Sequence, residues 1–235
     1  MSDGPSDTRV ALVTGAASGI GAAVAARLAA RGWTVAGLDL RPSATSLSLE
    51  ADVARRDAVE RAAARAAQEL GPVRLLVTAA GYYEMLPIGE ISPEQWSRML
   101  CTHLGGTVNA CRAVLPAMVA DGSGTIITIS SELALGGGDG DAHYAAAKGA
   151  IIGFTKSLAV EVAGSGVRVN GVAPGPTDTP LLDPESPWRD SGFLATLPLR
   201  RLVTAEEVAA TVAFVADEGT FFAGQVVSPN AGAVI

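Results

Sequence analysis

The sequence predicts an α/β fold, a parallel sheet with helices on both faces. Three observations carry this expectation. Short β-type runs alternate with longer Ala-rich helical segments, the order that joins parallel strands through crossover helices. The strand runs are almost wholly apolar, as strands covered on both faces must be. A glycine-rich turn follows the first strand and opens the first helix, where open sheets of this class bind ligands.

The strand runs are, in order, "VALVT", "TVAGLD", "SLSLEA", "RLLVTA", "TIITIS", "RVNGVA" and "QVVSP". Helices are expected at 19–31, 54–70, 93–120, 142–163 and 205–217. The segment "LRPSAT" between the second and third strands is too short for a crossover helix, so an irregular link must bridge them at the sheet edge. No repeat and no long linker divides the chain, and 9–235 is expected to form one domain. The opening "MSDGPSDTR" is polar and lacks the apolar core of a signal peptide. Residues 1–8 are therefore expected to be a flexible tail, and the protein cytoplasmic.

Composition excludes several classes. With 49% hydrophobic residues and a mean hydropathy of +0.32, the 235-residue chain has the material for a buried core rather than disorder. No apolar run reaches the roughly 18 residues of a membrane span. The formal charge of −7 comes with no basic stripe, which argues against a nucleic-acid partner. Cys101 and Cys111 share one expected helix, about 15 Å apart along its axis, too far for a disulfide; both are expected to pack the core. The two histidines lack zinc-site spacing, so no metal is expected.

Gly15, Gly19 and Gly21 form G-x-x-x-G-x-G. Such a turn lets backbone approach a ligand that side chains would exclude. The helix behind it, entered through Ser18 and Ile20, offers unpaired N–H groups and the positive dipole end to a pyrophosphate. An ordinary Gly-rich turn would look the same in isolation. Asp39, at the end of the second strand, is placed to accept hydrogen bonds from an adenosine ribose and to repel a 2′-phosphate. NAD is therefore expected over NADP, although Arg41 stands two residues away.

"DAHYAAAKGA" sets Tyr144 four residues before Lys148, on one helical face. A phenol with a pKa near about 10 is a poor base at neutral pH, and a nearby ammonium favours the phenolate. The pair would suit proton exchange with an alcohol oxygen; alone, it would equally suit two polar residues on an Ala-rich helix. Ser131 ends the strand "TIITISS", where a hydroxyl points into the ligand crevice.

Taken together, "TGAASGIG", Asp39, "ADV", "TAAG", Ser131, "YAAAK" and "RVNGVAPGPTDTP" resemble the short-chain dehydrogenase/reductase family along nearly the whole chain. The resemblance implies a single Rossmann-type doubly wound domain with a seven-stranded parallel sheet. It implies hydride transfer between a nicotinamide cofactor and a secondary alcohol or ketone. Tyr144 would be the general acid/base and Ser131 the donor to the substrate oxygen. Lys148 would hold the nicotinamide ribose and lower the tyrosine pKa. Asp52 and Val53 would flank the adenine, and Ala80 and Gly81 would line the adenosine side. Pro174, Gly175, Thr177 and Thr179 would pass the nicotinamide. Homo-oligomers, dimers or tetramers, would form through the long middle helices.

The match fails in places. The family's asparagine in the middle helix is replaced by His103. An imidazole can donate and accept, so His103 is expected to keep the proton relay that ends at the lysine, and to titrate near neutral pH. "TAAG" lacks the asparagines usual there, which puts local hydrogen bonding in doubt.

Tyr82, Tyr83, Met85, Leu86, Leu133 and Trp188 should wall the substrate pocket, with 178–198 as a lid. Their chemistry points to a cyclic, aromatic or otherwise apolar small molecule; they would serve equally in lid or subunit packing. "GGGDGD" reads as a solvated loop and His143 as a surface or pocket-edge residue. The competing function is a dinucleotide-sensing regulator that moves no hydride.

Overall fold

The computed structural model describes residues 9–235; the tail expected at 1–8 lies outside them. In chain order the elements are β1 (Val10–Thr14), α1 (Gly19–Ala30), β2 (Thr34–Asp39), β3 (Leu47–Glu50), α2 (Arg56–Leu70) and β4 (Val73–Thr78). Then follow α3 (Pro93–Leu100), α4 (Gly106–Ala120), β5 (Gly124–Ile129), α5 (Leu133–Gly136), α6 (Ala142–Val162) and β6 (Val167–Val172). The chain closes with β7 (Thr177–Asp178), α7 (Ser191–Thr196), β8 (Val203–Thr204), α8 (Ala205–Asp217) and β9 (Val226–Val227).

Seven strands form one sheet in the order β3-β2-β1-β4-β5-β6-β9, every neighbouring pair parallel. The chain winds outward from β1 to β3, then restarts on the other side at β4. This reversal opens a crevice at the carboxyl ends of β1 and β4.

Alternation along the central strands splits the core into two layers. Val10 and Leu12 of β1 pack with Val59 and Ala63 of α2, Val114 and Met118 of α4, and Leu158 and Val162 of α6. Ala11 and Val13 face the other way, onto Val24 and Leu28 of α1 and Val208 and Val212 of α8. Each of the larger buried side chains contributes about 1.5–3 kcal/mol, so both sheet faces are held firmly and the strand ends become a fixed platform.

Three details differ from expectation. The helix expected at 93–120 contains a π turn, Cys101–Gly105, which holds His103 inward at 2% exposure. The last strand shrinks to Val226–Val227, and β7 and β8 pair as a small separate ribbon. Two-residue strands carry no readable period, so the sequence could not reveal them. Cys111 is buried in the core as expected, but Cys101 is exposed, since ten residues at about 100° each set the two on different helix faces. The link between β2 and β3 is irregular, as its length demanded: the Ser43 N–H donates to Ser48 Oγ at 3.0 Å, and Thr45 Oγ1 donates to the Leu47 carbonyl at 3.0 Å.

Candidate active site

One side of the crevice is made of backbone. Gly15 has φ +72°, and a Cβ there would lie 2.8 Å from the Ala80 Cα, so β1 and the segment after β4 touch through a glycine. A Cβ on Gly21 would overlap the Gly15 carbonyl, which is why the turn closes so tightly onto α1. Ser18 makes no side-chain cap to α1, and no acidic residue sits in its first turn. The first-turn N–H groups are thus left for an anion.

Asp39 Oδ2 accepts the Ala17 N–H at 3.0 Å, and Oδ1 accepts the Arg41 N–H at 3.1 Å. The Arg41 guanidinium donates to Ser18 Oγ at 3.1 Å, so a cation stands beside the Asp39 carboxylate. Thr14 Oγ1 accepts the N–H groups of both Ala79 and Ala80 at 3.1 Å. Two backbone donors of "TAAG" are thus satisfied without asparagines. Asp52 Oδ1 accepts the Ala54 N–H at 2.9 Å, and Val53 is buried against Gly106 of α4; neither lines the cleft described next. Glycines a Cβ would fill, free helix donors and a strand-end carboxylate fit a dinucleotide.

The side chains expected to react lie on the other side, in a cleft of about 730 Å³ including its open mouth. Ser131, Tyr144, Lys148, His103, Ile20, Gly81, Tyr83, Leu133 and Trp188 all line it. So do Pro174, Gly175, Thr177 and Thr179, and Thr179 reaches to 3.4 Å from where a Gly19 Cβ would stand. The phosphate turn and the 174–179 loop therefore meet.

The sequence explains how α6 is held. Thr128 and Thr155 pair through their hydroxyls at 2.6 Å, and Ser130 Oγ donates to the Lys148 carbonyl at 2.8 Å. These bonds lock α6 to β5, and so lock Tyr144 and Lys148 relative to Ser131. Lys148 Nζ donates to the Ile129 carbonyl at 3.0 Å and lies 5.6 Å from the Tyr144 ring centroid. The Tyr144 ring is wedged edge-on between Tyr83 at 5.1 Å and His103 at 5.4 Å.

Electrostatics correct one expectation. Burial pushes the Tyr144 phenol up, the Glu132 carboxylate pushes it further, and the Ser131 hydroxyl only partly opposes them. The phenol is therefore held neutral, and its net shift is upward, against the lowering expected from the lysine. Burial also pulls Lys148 down to about 8. An ammonium that is itself desolvated is a weak aid to a buried phenolate.

His103 also departs from expectation. Its Nε2 lies 2.8 Å from the Tyr82 carbonyl, the shorter of its two contacts with that backbone, so Nε2–H donates there. Nδ1 is left as an acceptor, buried and without a partner among the described residues. Burial, then the Lys148 charge, hold its pKa well below the ordinary value. The imidazole stays neutral across the physiological range, which overturns the expected titration near neutral pH.

Over the cleft lies the segment expected as a lid. Trp188 Nε1 donates to the Tyr83 hydroxyl at 2.9 Å, and that hydroxyl donates to Asp141 Oδ1 at 2.7 Å. Asp141 is fully buried, so the end of "GGGDGD" is not solvated. It sits at the start of α6 and ties lid, Tyr83 and catalytic helix together. Tyr82 does not line the cleft: its hydroxyl accepts from Arg98 Nε at 3.1 Å. His143 is fully buried, stacked on Trp96 at 6.3 Å, which corrects its placement at the surface or pocket edge.

The residue that sequence reasoning missed is Glu132. It lines the cleft at 5% exposure, and its Oε2 accepts the Ser131 hydroxyl at 2.9 Å. Burial raises its carboxyl to about 7. The available signal was an acidic residue directly after the strand-end serine.

These features define a class: a doubly wound α/β oxidoreductase with a dinucleotide turn and a Ser-Tyr-Lys cleft at the switch point of its sheet. The short chain dehydrogenase family profile matches residues 9–190, and the chain belongs to that family, whose members use NAD(P). It is similar to the 3-oxoacyl-(acyl-carrier-protein) reductase FabG of Escherichia coli (strain K12), 37% identical over 235 residues, covering 95% of this chain and 96% of that one. It is similar to the 2-(R)-hydroxypropyl-CoM dehydrogenase of Xanthobacter autotrophicus (strain ATCC BAA-1158 / Py2), 36% identical over 230 residues, covering 90% and 92%. The cis-4-hydroxycyclohexanecarboxylate dehydrogenase of Sinomonas cyclohexanicum is 38% identical over 238 residues, covering 95% and 96%.

Proposed function

We propose that this oxidoreductase moves hydride between NAD and a secondary alcohol or ketone, with Tyr144 as the proton donor and acceptor. The observation that carries the reading is the convergence of Ser131, Tyr144 and Lys148 in a cleft that the phosphate turn also reaches. When bound, the nicotinamide supplies or takes the hydride. The chain's own work is positioning and proton handling. Ser131 holds the substrate oxygen beside the phenol. Tyr144, neutral through burial, is in the form that gives a proton to a developing alkoxide. Lys148, pinned by the Ile129 carbonyl, holds the ribose and supplies positive charge beside the phenol. His103 offers Nδ1 to a relay water.

Asp39 supports NAD over NADP, since a carboxylate repels a 2′-phosphate. Arg41 opposes that preference from 3.1 Å off Ser18. The aromatic wall of Tyr83 and Trp188 supports a cyclic or otherwise apolar substrate, and a relative that acts on a hydroxycyclohexane carboxylate is compatible with it. Among the described residues no helix is long and apolar enough to cross a membrane. On α6, Gly149 and Gly153 have nothing within 4 Å and Val160 is 79% exposed, which supports pairing of copies through this helix.

The test is absorbance at the reduced-nicotinamide band over a panel of cyclic and aromatic alcohols and ketones, with NAD and NADP in parallel. Turnover on ring substrates, faster with NAD, is expected. Tight dinucleotide binding with no turnover on any member would favour the sensor, whose support is the replacement of the family's asparagine by His103.

A further inference from the structure

We propose that Glu132 is a positioning residue that sets which way the Ser131 hydroxyl points, and so biases the cleft toward reduction when it is protonated and toward oxidation when it is ionised. This rests on the hydride-transfer reading above. A serine hydroxyl has one donor hydrogen and two acceptor sites. One acceptor site is taken by the Leu133 N–H at 3.2 Å. With Glu132 ionised, the hydrogen is committed to Oε2 at 2.9 Å, because the Ser131 hydroxyl is the side-chain donor that steadies this buried carboxylate. Ser131 then offers only its remaining lone pair, which suits an alcohol substrate that donates. With Glu132 protonated, the acid donates to that second acceptor site, and the Ser131 hydrogen is released toward a carbonyl oxygen.

The geometry is built in. Glu132 is held at the cleft wall by its own N–H, which donates to the Pro174 carbonyl at 3.0 Å. The ionisable groups around it are few. Asp141 and Tyr144 face it from α6, and both disfavour its ionised form or are disfavoured by it. Lys148, His103 and Tyr83 line the same cleft, and burial holds the imidazole low and the Tyr83 phenol high. The lid, α7 and the C-terminal segment share a second small cavity with Glu132, lined on their side by uncharged residues such as Trp188, Phe193 and Ala233. The Ser131 bond is among the interactions that hold the carboxyl down, so serine and carboxyl are coupled in both directions. Tyr144 stays neutral throughout, and Lys148, pulled down to about 8 by burial, titrates at the upper edge of the window.

Two measurements test this. Infrared difference spectra of the labelled carboxyl should show Glu132 titrating near neutrality, with the midpoint moving upward in Ser131→Ala because a stabilising donor is lost. In kinetics, kcat/KM for ketone reduction should fall up to about tenfold from pH 6 to pH 8, a change of about 1.4 kcal/mol. Oxidation should rise over the same range. Glu132→Gln, whose amide can donate to Ser131 but does not ionise, should remove the inflection near pH 7 and leave only the change near pH 8 that Lys148 brings. A midpoint unmoved in Ser131→Ala, or a Gln variant that keeps the wild-type inflection, would overturn the proposal. The infrared titration needs no turnover, so failure on every substrate would remove the hydride-transfer reading while leaving the serine-carboxyl coupling separately decided.

Discussion

The two halves of the crevice are made of different materials. The dinucleotide half is backbone: glycines in close approach, free helix N–H groups, and a threonine that ties Ala79 and Ala80 to β1. The substrate half is side chain: Ser131, Glu132, Tyr144, Lys148 and His103, all buried and all polar. The first half is set by backbone shape, and its tunable side chains are Asp39 and Arg41 at the strand end. The second half stores its chemistry in desolvated groups whose proton affinities depend on each other. Substitutions should therefore act through binding and fold in one half, and through rate and pH in the other.

The largest effect separates the halves outright. Tyr144→Phe should lower turnover by about 10²–10⁴-fold, the range for a lost general acid, while dinucleotide affinity by fluorescence titration changes little. Equal loss of binding and turnover would erase the division. Gly21→Ala tests the other side. Its Cβ meets the Gly15 carbonyl, so we expect a stability loss of about 1–3 kcal/mol in denaturant melts and a matching loss of dinucleotide affinity. A stable protein that binds normally would show that the turn tolerates bulk.

His103 sharpens the contrast within the substrate half. His103→Leu should lower kcat on the order of tenfold, about 1.4 kcal/mol, and His103→Asn should stay near wild type. Since the imidazole is neutral, neither change should move the pH profile; equal rates for both variants would end its role in the relay. The smallest effect belongs to the lid. Trp188→Phe removes one neutral hydrogen bond to Tyr83, worth about 0.5–1.5 kcal/mol. A rise of KM of a few fold with kcat nearly constant is expected, and an unchanged KM would detach the latch from substrate binding.

Stability should track pH through Glu132 as well. Its folded pKa, about 7, lies above the ordinary 4.5. The protonated form is favoured by folding, so its contribution is complete below about pH 4.5 and fades as pH rises toward 7.

The alternating apolar runs and the spacing of glycines, serine, tyrosine and lysine are local patterns, and they specified the sheet, its two layers and most of the cleft in advance. Tyr82 and Tyr83 show where local pattern stops. They are adjacent and chemically alike, yet one lines the cleft and the other meets Arg98, a choice made by the helix packed against them. His143 likewise looks like a solvated neighbour of Tyr144, but α3 covers it with Trp96.

From sequence alone came the order of the elements, the glycine turn and three side chains that meet in the cleft, because each depends on residues near one another in the chain or on a strand end that chemistry marks. Only the folded chain decided that the phenol stays neutral, that His103 does not titrate and that Glu132 answers to Ser131. Proton affinity is set by how much water surrounding elements remove and which charges they bring close, and those elements arrive from distant parts of the chain.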